Sequence, residues 1–297
     1  MHMLPTLRMH NETEIPRLGF GTLNLTSTRE DTKTNADAVA QTVGTAIEVG
    51  YRHIDTAQMY GNERGVGIAL ADSGLARDEL FVTSKLGNGN HHPDDVRRSF
   101  DETLDKLGLD FLDLFLMHWP LPTLYDGDFV STWSAMADLV TEGRLRSVGV
   151  SNFQSQHLER VIDATGVVPT VNQIEVHPYF HNNEVLTTCA RHDIAVEAWS
   201  PLGKGAVLDD AVLTAIADAH EKSAAQVVLR WHLQHGRVAI PKSTRRARMS
   251  ENSAVFDFEL TSDDMQAIDA LDRGNEGRRG PNPDTFDWIP GPGATRP

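Results

Sequence analysis

Eight short strand candidates, each followed by one helix or two, predict an α/β chain closed into a (β/α)8 TIM barrel. Three observations carry that expectation. The strands recur about every thirty residues, the length of one βαβ unit. Strand and helix alternate without a break. Finally, Asp55, Lys85, His118, Asn152, Gln173, Ser200 and Lys242 fall at or just after the ends of strands two to eight, and a closed barrel gathers them at one mouth. An open, doubly wound sheet is the structural rival. No glycine-rich dinucleotide fingerprint supports it, because Gly19 and Gly21 lead into Thr22-Leu23-Asn24.

In order along the chain, a small hairpin comes first (6–16), with arms at 6–9 and 13–15 joined at Asn11-Glu12. Leu18-Gly19-Phe20-Gly21-Thr22 is the first barrel strand. Its helix places Val39, Val43, Ala46 and Ile47 on one face, and Gly50 ends it. Strand two covers 52–56, and the helix over 62–73 stops at Gly74. Strand three, Leu80-Phe81-Val82-Thr83-Ser84-Lys85, finishes on a lysine. Its helix has Pro93 near the start, Asp94 and Asp95 in the first turn, an apolar face of Val96, Phe100, Leu104 and Leu107, and Gly108 beyond its end.

Strand four, 111–117, has the mostly apolar composition of a strand covered on both faces, and ends in His118-Trp119-Pro120. A loop leads to a helix carrying Trp133, Met136, Ala137 and Val140. Strand five, 146–150, runs into Ser151-Asn152-Phe153, and its helix carries Leu158, Val161 and Ile162. Strand six, 170–175, holds Gln173 and precedes a helix over 183–192. Strand seven, 194–199, ends in Ser200-Pro201-Leu202-Gly203. Helices over 211–219 and around Ala224, Val227, Val228 and Trp231 come before strand eight, Val238-Ala239-Ile240. Pro241-Lys242-Ser243-Thr244 and a basic run follow, then a helix starting near Ser262. The tail, 274–297, is rich in Gly, Pro and Arg and has no periodicity. The whole chain, 1–297, reads as one barrel domain with an extra C-terminal helix and tail.

Bulk properties narrow the function. A chain of 297 residues with 40% hydrophobic and 23% charged residues has ample material for a core. Its net charge of −15 disfavours a nucleic-acid partner, since phosphate backbones call for an excess of Lys and Arg. Cys189 is the single cysteine, which rules out an internal disulfide and a cysteine-based zinc site. No apolar run approaches membrane-spanning length, and the start lacks a signal-peptide pattern, so a cytoplasmic protein without membrane partners is expected.

Five stretches carry chemistry: Gly50-Tyr51-Arg52-His53-Ile54-Asp55-Thr56-Ala57-Gln58-Met59-Tyr60-Gly61-Asn62-Glu63, Thr83-Ser84-Lys85-Leu86, Leu116-Met117-His118-Trp119-Pro120, Gly149-Val150-Ser151-Asn152-Phe153 and Ile240-Pro241-Lys242-Ser243-Thr244. In this order they resemble the aldo-keto reductase superfamily, over roughly residues 15 to 252. The short connection from His118 to Trp133 is similar to that of bacterial members related to 2,5-diketo-D-gluconate reductases. The resemblance implies NADPH-dependent reduction of aldehydes or ketones, a monomer, and a catalytic tetrad falling on Asp55, Tyr60, Lys85 and His118.

The chemistry of the four agrees. Adding hydride to a carbonyl leaves an alkoxide that needs a proton from a positioned acid. A free tyrosine, with a pKa of about 10, is too weak an acid for neutral pH. A neighbouring Lys85 ammonium favours the phenolate and lowers that value. Asp55 holds the ammonium, whose charge would be costly if buried alone. His118 orients the carbonyl oxygen. Each residue also has a plainer reading: Asp55 as a turn cap, Tyr60 as a core aromatic, Lys85 on the surface, His118 as a satisfied histidine.

The resemblance places the adenosine end of NADPH on Lys242, Ser243, Thr244, Arg248 and Asn252, where a loop entering a helix offers N–H groups and positive charge for a 2′-phosphate. It places the nicotinamide carboxamide on Ser151, Asn152 and Gln173, the ring against Trp199, and the pyrophosphate near Ser200, Leu202 and Lys204, with Gly21 and Thr22 also on the cofactor side. Asn62 and Glu63 read as helix-start chemistry. Trp119 and His118 are expected to wall the substrate pocket. Leu23 joins them where several mammalian relatives carry a tryptophan. The tail could fold over the mouth with Phe286 or Trp288 touching substrate, or hang free. Two other functions compete. One is a metal-dependent barrel hydrolase using His53, Asp55, His118 and His177, against which His53 and Asp55 are expected on opposite strand faces. The other is a cofactor-holding redox sensor with little turnover.

Overall fold

In the computed structural model, which describes residues 5–30 and 32–290, eight parallel strands form one sheet in sequence order. After the antiparallel hairpin β1 (Thr6–Arg8) and β2 (Glu14–Pro16) come β3 (Gly19–Gly21), β4 (His53–Asp55), β5 (Phe81–Leu86) and β6 (Leu112–Met117). The rest are β7 (Leu145–Ser151), β8 (Val171–Glu175), β9 (Ala195–Trp199) and β10 (Val238–Ala239). A parallel bridge from Leu18 to Ala239, with the Ala239 N–H donating to the Arg17 carbonyl at 3.0 Å, joins the last strand to the first. The barrel expectation is met.

Helices α1 (Lys33–Val49), α2 (Glu63–Asp72), α3 (Pro93–Leu107), α4 (Val130–Thr141), α5 (Ser155–Thr165) and α6 (Asn183–Arg191) alternate with strands. The pair α7 (Ala211–Ala219) and α8 (Ala224–Gln234) precedes β10, and α9 (Arg246–Ser253) and α10 (Ser262–Asp269) follow it. Helices α1 to α8 each turn an apolar face to the barrel. On α3, Val96, Phe100, Leu104 and Leu107 are all buried, and Phe100 meets Phe115 of β6 edge-on at 5.0 Å. Burying such side chains contributes about 1.5–3 kcal/mol apiece.

The hairpin stops one end of the barrel. Met9 and Ile15 pack with Phe81, Val171 and Val238, the first residues of their strands, and with Leu114 and Leu116. The opposite end, where the strands finish, is left for ligands.

Three expectations change. Helix α9 occupies the basic run, where Arg-Ala-Arg-Met-Ser-Glu-Asn-Ser has no apolar period and buries only Met249 and Asn252. Asn62 stands at the start of α2, where its carbonyl accepts from the Val66 N–H at 3.0 Å, but its side chain does not bond that helix: it donates to the Thr22 carbonyl at 2.8 Å and accepts from the Thr56 hydroxyl at 2.6 Å. His53 and Asp55 are not on opposite faces. Two residues apart on β4, they share the interior face, as a period of two requires, and both are buried. The end of the tail, 291–297, lies outside the described residues.

Candidate active site

Strand β4 ends at Asp55, and the chain turns through a short 3-10 turn, Gln58–Tyr60, before α2. Gln58 fastens that corner: its Oε1 accepts from the Gly87 N–H at 2.6 Å, and its Nε2 donates to the Ser99 carbonyl at 3.0 Å. Gly61 follows at φ 65°, and a Cβ there would lie 1.9 Å from the Arg29 carbonyl oxygen. Only glycine closes this corner, which presents Tyr60 above the strand ends.

Lys85, at the end of β5 and fully buried, donates to both carboxylate oxygens of Asp55 at 2.7 Å and to the Thr56 carbonyl at 3.0 Å. Its three donors are thereby used. Burial, the largest single influence, works against its charge. The Asp55 carboxylate, with Tyr60 and Glu197, together outweighs burial and holds the ammonium above the ordinary lysine value. The charge therefore persists at neutral pH. Lys85 Nζ lies 5.0 Å from the centre of the Tyr60 ring, and the His118 ring meets that ring edge-on at 5.7 Å. The four residues are thus one cluster at three adjacent strand ends.

A hydrogen-bonded chain crosses the mouth. The Ser151 hydroxyl donates to the Gln173 carbonyl at 2.8 Å. Asn152 donates to the His118 carbonyl at 2.9 Å and to Ser151 Oγ at 3.1 Å, and its Oδ1 accepts from Trp199 Nε1 at 2.8 Å. Gln173 Nε2 donates to Asp55 Oδ2 at 2.8 Å and to Glu197 Oε2 at 2.6 Å. With both N–H bonds spent inside the barrel, the Gln173 amide has only its oxygen to offer.

Glu197 escaped the sequence reading. A glutamate between valine and alanine in a barrel strand was the available signal, since buried charge is costly without a partner. The role of Glu63 was also missed. It is buried in α2 and accepts from the Ser84 hydroxyl at 2.6 Å.

Beyond β10 the surface turns cationic. The Gly21 N–H donates to the Pro241 carbonyl at 3.1 Å, bringing the first strand against this loop. Lys242, Thr244 and Arg248 are exposed, while Ser243 and Asn252 are buried. Lys242 and Arg248 have no carboxylate partner among the described residues, whereas Arg246 pairs with Glu48. Arg245 caps α9 without a side-chain hydrogen bond, so the first N–H groups of that helix remain open. Unspent cations beside an open helix start suit a phosphate group.

The other expected cofactor residues have varied partners. The buried Thr22 hydroxyl is committed to the Asp55 carbonyl at 2.9 Å, so its side chain braces the floor. Ser200 and Leu202 are half-buried in the turn after β9, and Lys204 donates to the Arg279 carbonyl at 3.1 Å.

On the substrate side, Trp119 is buried and Leu23 half-buried. The Phe286 ring lies 4.1 Å from that of Trp119, and Asn88 Nδ2 donates to the Trp288 carbonyl at 2.8 Å. Glu175, at the end of β8, receives the N–H groups of Arg279 at 2.6 Å and Gly280 at 2.8 Å and is bonded to His177 at 3.1 Å. Gly280 is needed there, because a Cβ would come 2.4 Å from the Trp199 ring. Among the described residues no three His, Cys, Asp or Glu side chains are grouped to hold a metal ion. His177 is turned to Glu175, and burial pushes the Cys189 thiol up to about 12.

The model of the aldo/keto reductase family matches residues 17–273. The chain is 46% identical over 279 residues to a glyoxal reductase of Bacillus subtilis, covering 94% of this chain and 96% of that protein. It is 44% identical over 285 residues to the methylglyoxal reductase DkgA of Salmonella typhimurium, covering 95% and 98%. Among solved structures, a mutant of Gox0644 in complex with NADPH superposes with a TM-score of 0.87 at 42% identity, covering 97% of this chain and all of that one.

Proposed function

This chain belongs to the aldo/keto reductase family, and on that premise we propose that it reduces small α-dicarbonyls, keto-sugars or keto-esters to alcohols with Tyr60 as the general acid. It is an oxidoreductase that uses NADPH. When bound, the cofactor supplies hydride to the carbonyl carbon.

The chain's own residues do the rest. Tyr60 gives its phenolic proton to the oxygen on which negative charge develops. Lys85 makes that transfer easier by favouring the phenolate left behind, and Asp55 keeps Lys85 charged and in place. His118 aims the carbonyl oxygen at Tyr60. The observation that carries this reading is the fully buried Lys85, held at 2.7 Å by both oxygens of Asp55 and lying 5.0 Å from the Tyr60 ring. A buried ion pair next to a phenol at the ligand-binding end of a barrel is costly for stability alone.

Lys242 and Arg248, with Ser243, Thr244 and Asn252, would hold the 2′-phosphate. Trp199 and the oxygen of Gln173 would meet the nicotinamide, with Ser151 and Asn152 bracing them. Ser200, Leu202 and Lys204 would flank the pyrophosphate, and Gly21 would allow close approach. The glyoxal and methylglyoxal activities named for the two relatives support small dicarbonyls as substrates. Trp119, Leu23 and the tail aromatic Phe286 would then bound the pocket, with the tail over the mouth. The reading extends to a cytoplasmic monomer.

A carbonyl panel followed by loss of NADPH absorbance tests this. Glyoxal, methylglyoxal, a diketo-gluconate, a keto-ester and an aromatic aldehyde should include good substrates, and a chelator should change nothing. Tight retention of cofactor with negligible turnover across the panel would contradict it.

A further inference from the structure

Beneath Tyr60 lies a carboxyl that the mechanism above does not use. Glu197 sits on β9 facing the barrel interior and is fully buried. Its Oε2 accepts from Gln173 Nε2 at 2.6 Å, and the same nitrogen donates to Asp55 Oδ2 at 2.8 Å. One amide therefore ties two carboxyls together. Glu197 Oε1 has no hydrogen-bond partner among the described residues and lies 3.5 Å from His53 Nε2, which is bonded to Thr83 Oγ1 at 3.0 Å.

The charged and titratable groups facing Glu197 are His53 and Asp55 from β4 and Lys85 from β5. Burial first, then Lys85, pushes His53 down to about 3, so the ring is neutral. Among the described residues, the groups around Glu197 thus comprise two carboxyls, its own included, and a single cation. Both carboxyls ionised would leave a net negative charge out of contact with water, which is costly.

We propose that Glu197 is a positioning residue of the reductase site: as a neutral acid linked through Gln173, it leaves Asp55 the only anion facing Lys85 and so sets the acidity of Tyr60. The inference rests on the reading of Tyr60 as general acid. Burial and then the Asp55 charge push Glu197 up to about 8, against the pull of Gln173 and Lys85, so it is protonated at neutral pH and ionises just above. Once ionised, Glu197 adds a second negative charge facing Lys85. The ammonium then favours the Tyr60 phenolate less, the phenol becomes a weaker acid, and reduction slows.

The test measures kcat/KM for methylglyoxal with NADPH against pH, in the parent and in Glu197→Gln. An infrared titration of the cofactor-free protein accompanies it. The parent should fall through a break near pH 8, and in Glu197→Gln the ratio of kcat/KM at about pH 9 to that at about pH 6.5 should rise about threefold or more. The infrared spectrum of the parent should carry a protonated-carboxyl band that disappears near pH 8 and is missing from the variant. A parental pH profile in the variant would overturn the proposal, as would a parent with no break near pH 8 or no such band at neutral pH. The band and the parental break still decide if the variant does not fold. The band also needs no turnover, so it separates this proposal from the acid role of Tyr60, which Tyr60→Phe tests.

Discussion

Replacing Asp55 by Asn removes the main counter-ion of a fully buried ammonium. Taken alone, such a loss costs about 3–5 kcal/mol, because the remaining charge stays out of water without a partner. The interior of this barrel offers relief. Glu197 shares the Gln173 amide with Asp55, and the Asp55 charge is one reason its pKa is raised to about 8. With Asp55 neutral, that contribution vanishes and Glu197 can release its proton to face Lys85. Ionising a group of pKa near 8 at pH 7 costs on the order of 1 kcal/mol, and less once the Asp55 charge is gone, so Asp55→Asn should lose only about 1–2 kcal/mol. Asp55→Asn with Glu197→Gln removes both anions and should lose the full 3–5 kcal/mol or so, well beyond the sum of the single effects. Urea unfolding of the parent, both single variants and the double variant at pH 7 reads these values. Additive losses would refute the idea that Glu197 stands in for Asp55, and an undiminished double variant would refute the buried charge itself.

Three further outcomes are expected. Lys242→Met and Arg248→Met should each raise the Michaelis constant for NADPH about 10- to 100-fold, the worth of one charge-assisted contact, and leave that for NADH unchanged; equal effects on both cofactors would remove the 2′-phosphate from this loop. Deleting residues after Asn282 takes Phe286 from Trp119 and Trp288 from Asn88, so relative kcat/KM across a carbonyl panel should change, and an unchanged profile would free the tail from the pocket. Stability should peak near pH 6.5. His53 and His91, held down to about 3 and about 4 chiefly by burial, bind fewer protons folded than unfolded, so their contribution is full above about 6.5 and is lost as pH falls through those values. Glu197, held up to about 8, binds more protons folded, so stability falls by about 2 kcal/mol from pH 6.5 to 8, and Glu197→Gln should flatten that limb in urea titrations.

The fold was legible because its signals are local. Alternating strands and helices, Gly50 and Gly108 at helix ends and the apolar face of α3 can be read within a window of fifteen residues, and the structure has them. The meeting of Asp55 with Lys85 was legible through strand-end position, since a closed barrel brings adjacent ends together. What was not legible depends on register and interior packing. Helix α9 has no apolar period and is held by what surrounds it. Asn62 does start α2, but its side chain ties two loops instead of the helix, a choice set by Thr22, forty residues earlier. Glu197 stands between the proposed acid's support and His53, but its partners are Gln173, opposite it on the adjacent β8, and His53 across the barrel on β4, and no local pattern reports them. The side-chain commitments of Thr22 and Gln173 are likewise properties of the closed barrel.

The central claim is that a phenol, made acidic by a buried lysine, protonates the reduced carbonyl. Tyr60→Phe deletes that proton and little else. Single-turnover reduction of methylglyoxal by bound NADPH, read beside the dissociation constant for NADPH, tests it most directly. The turnover rate should fall about 10²- to 10⁴-fold, the usual worth of a positioned acid, while NADPH affinity stays within about twofold. A variant that reduces methylglyoxal at the parental rate would contradict the account.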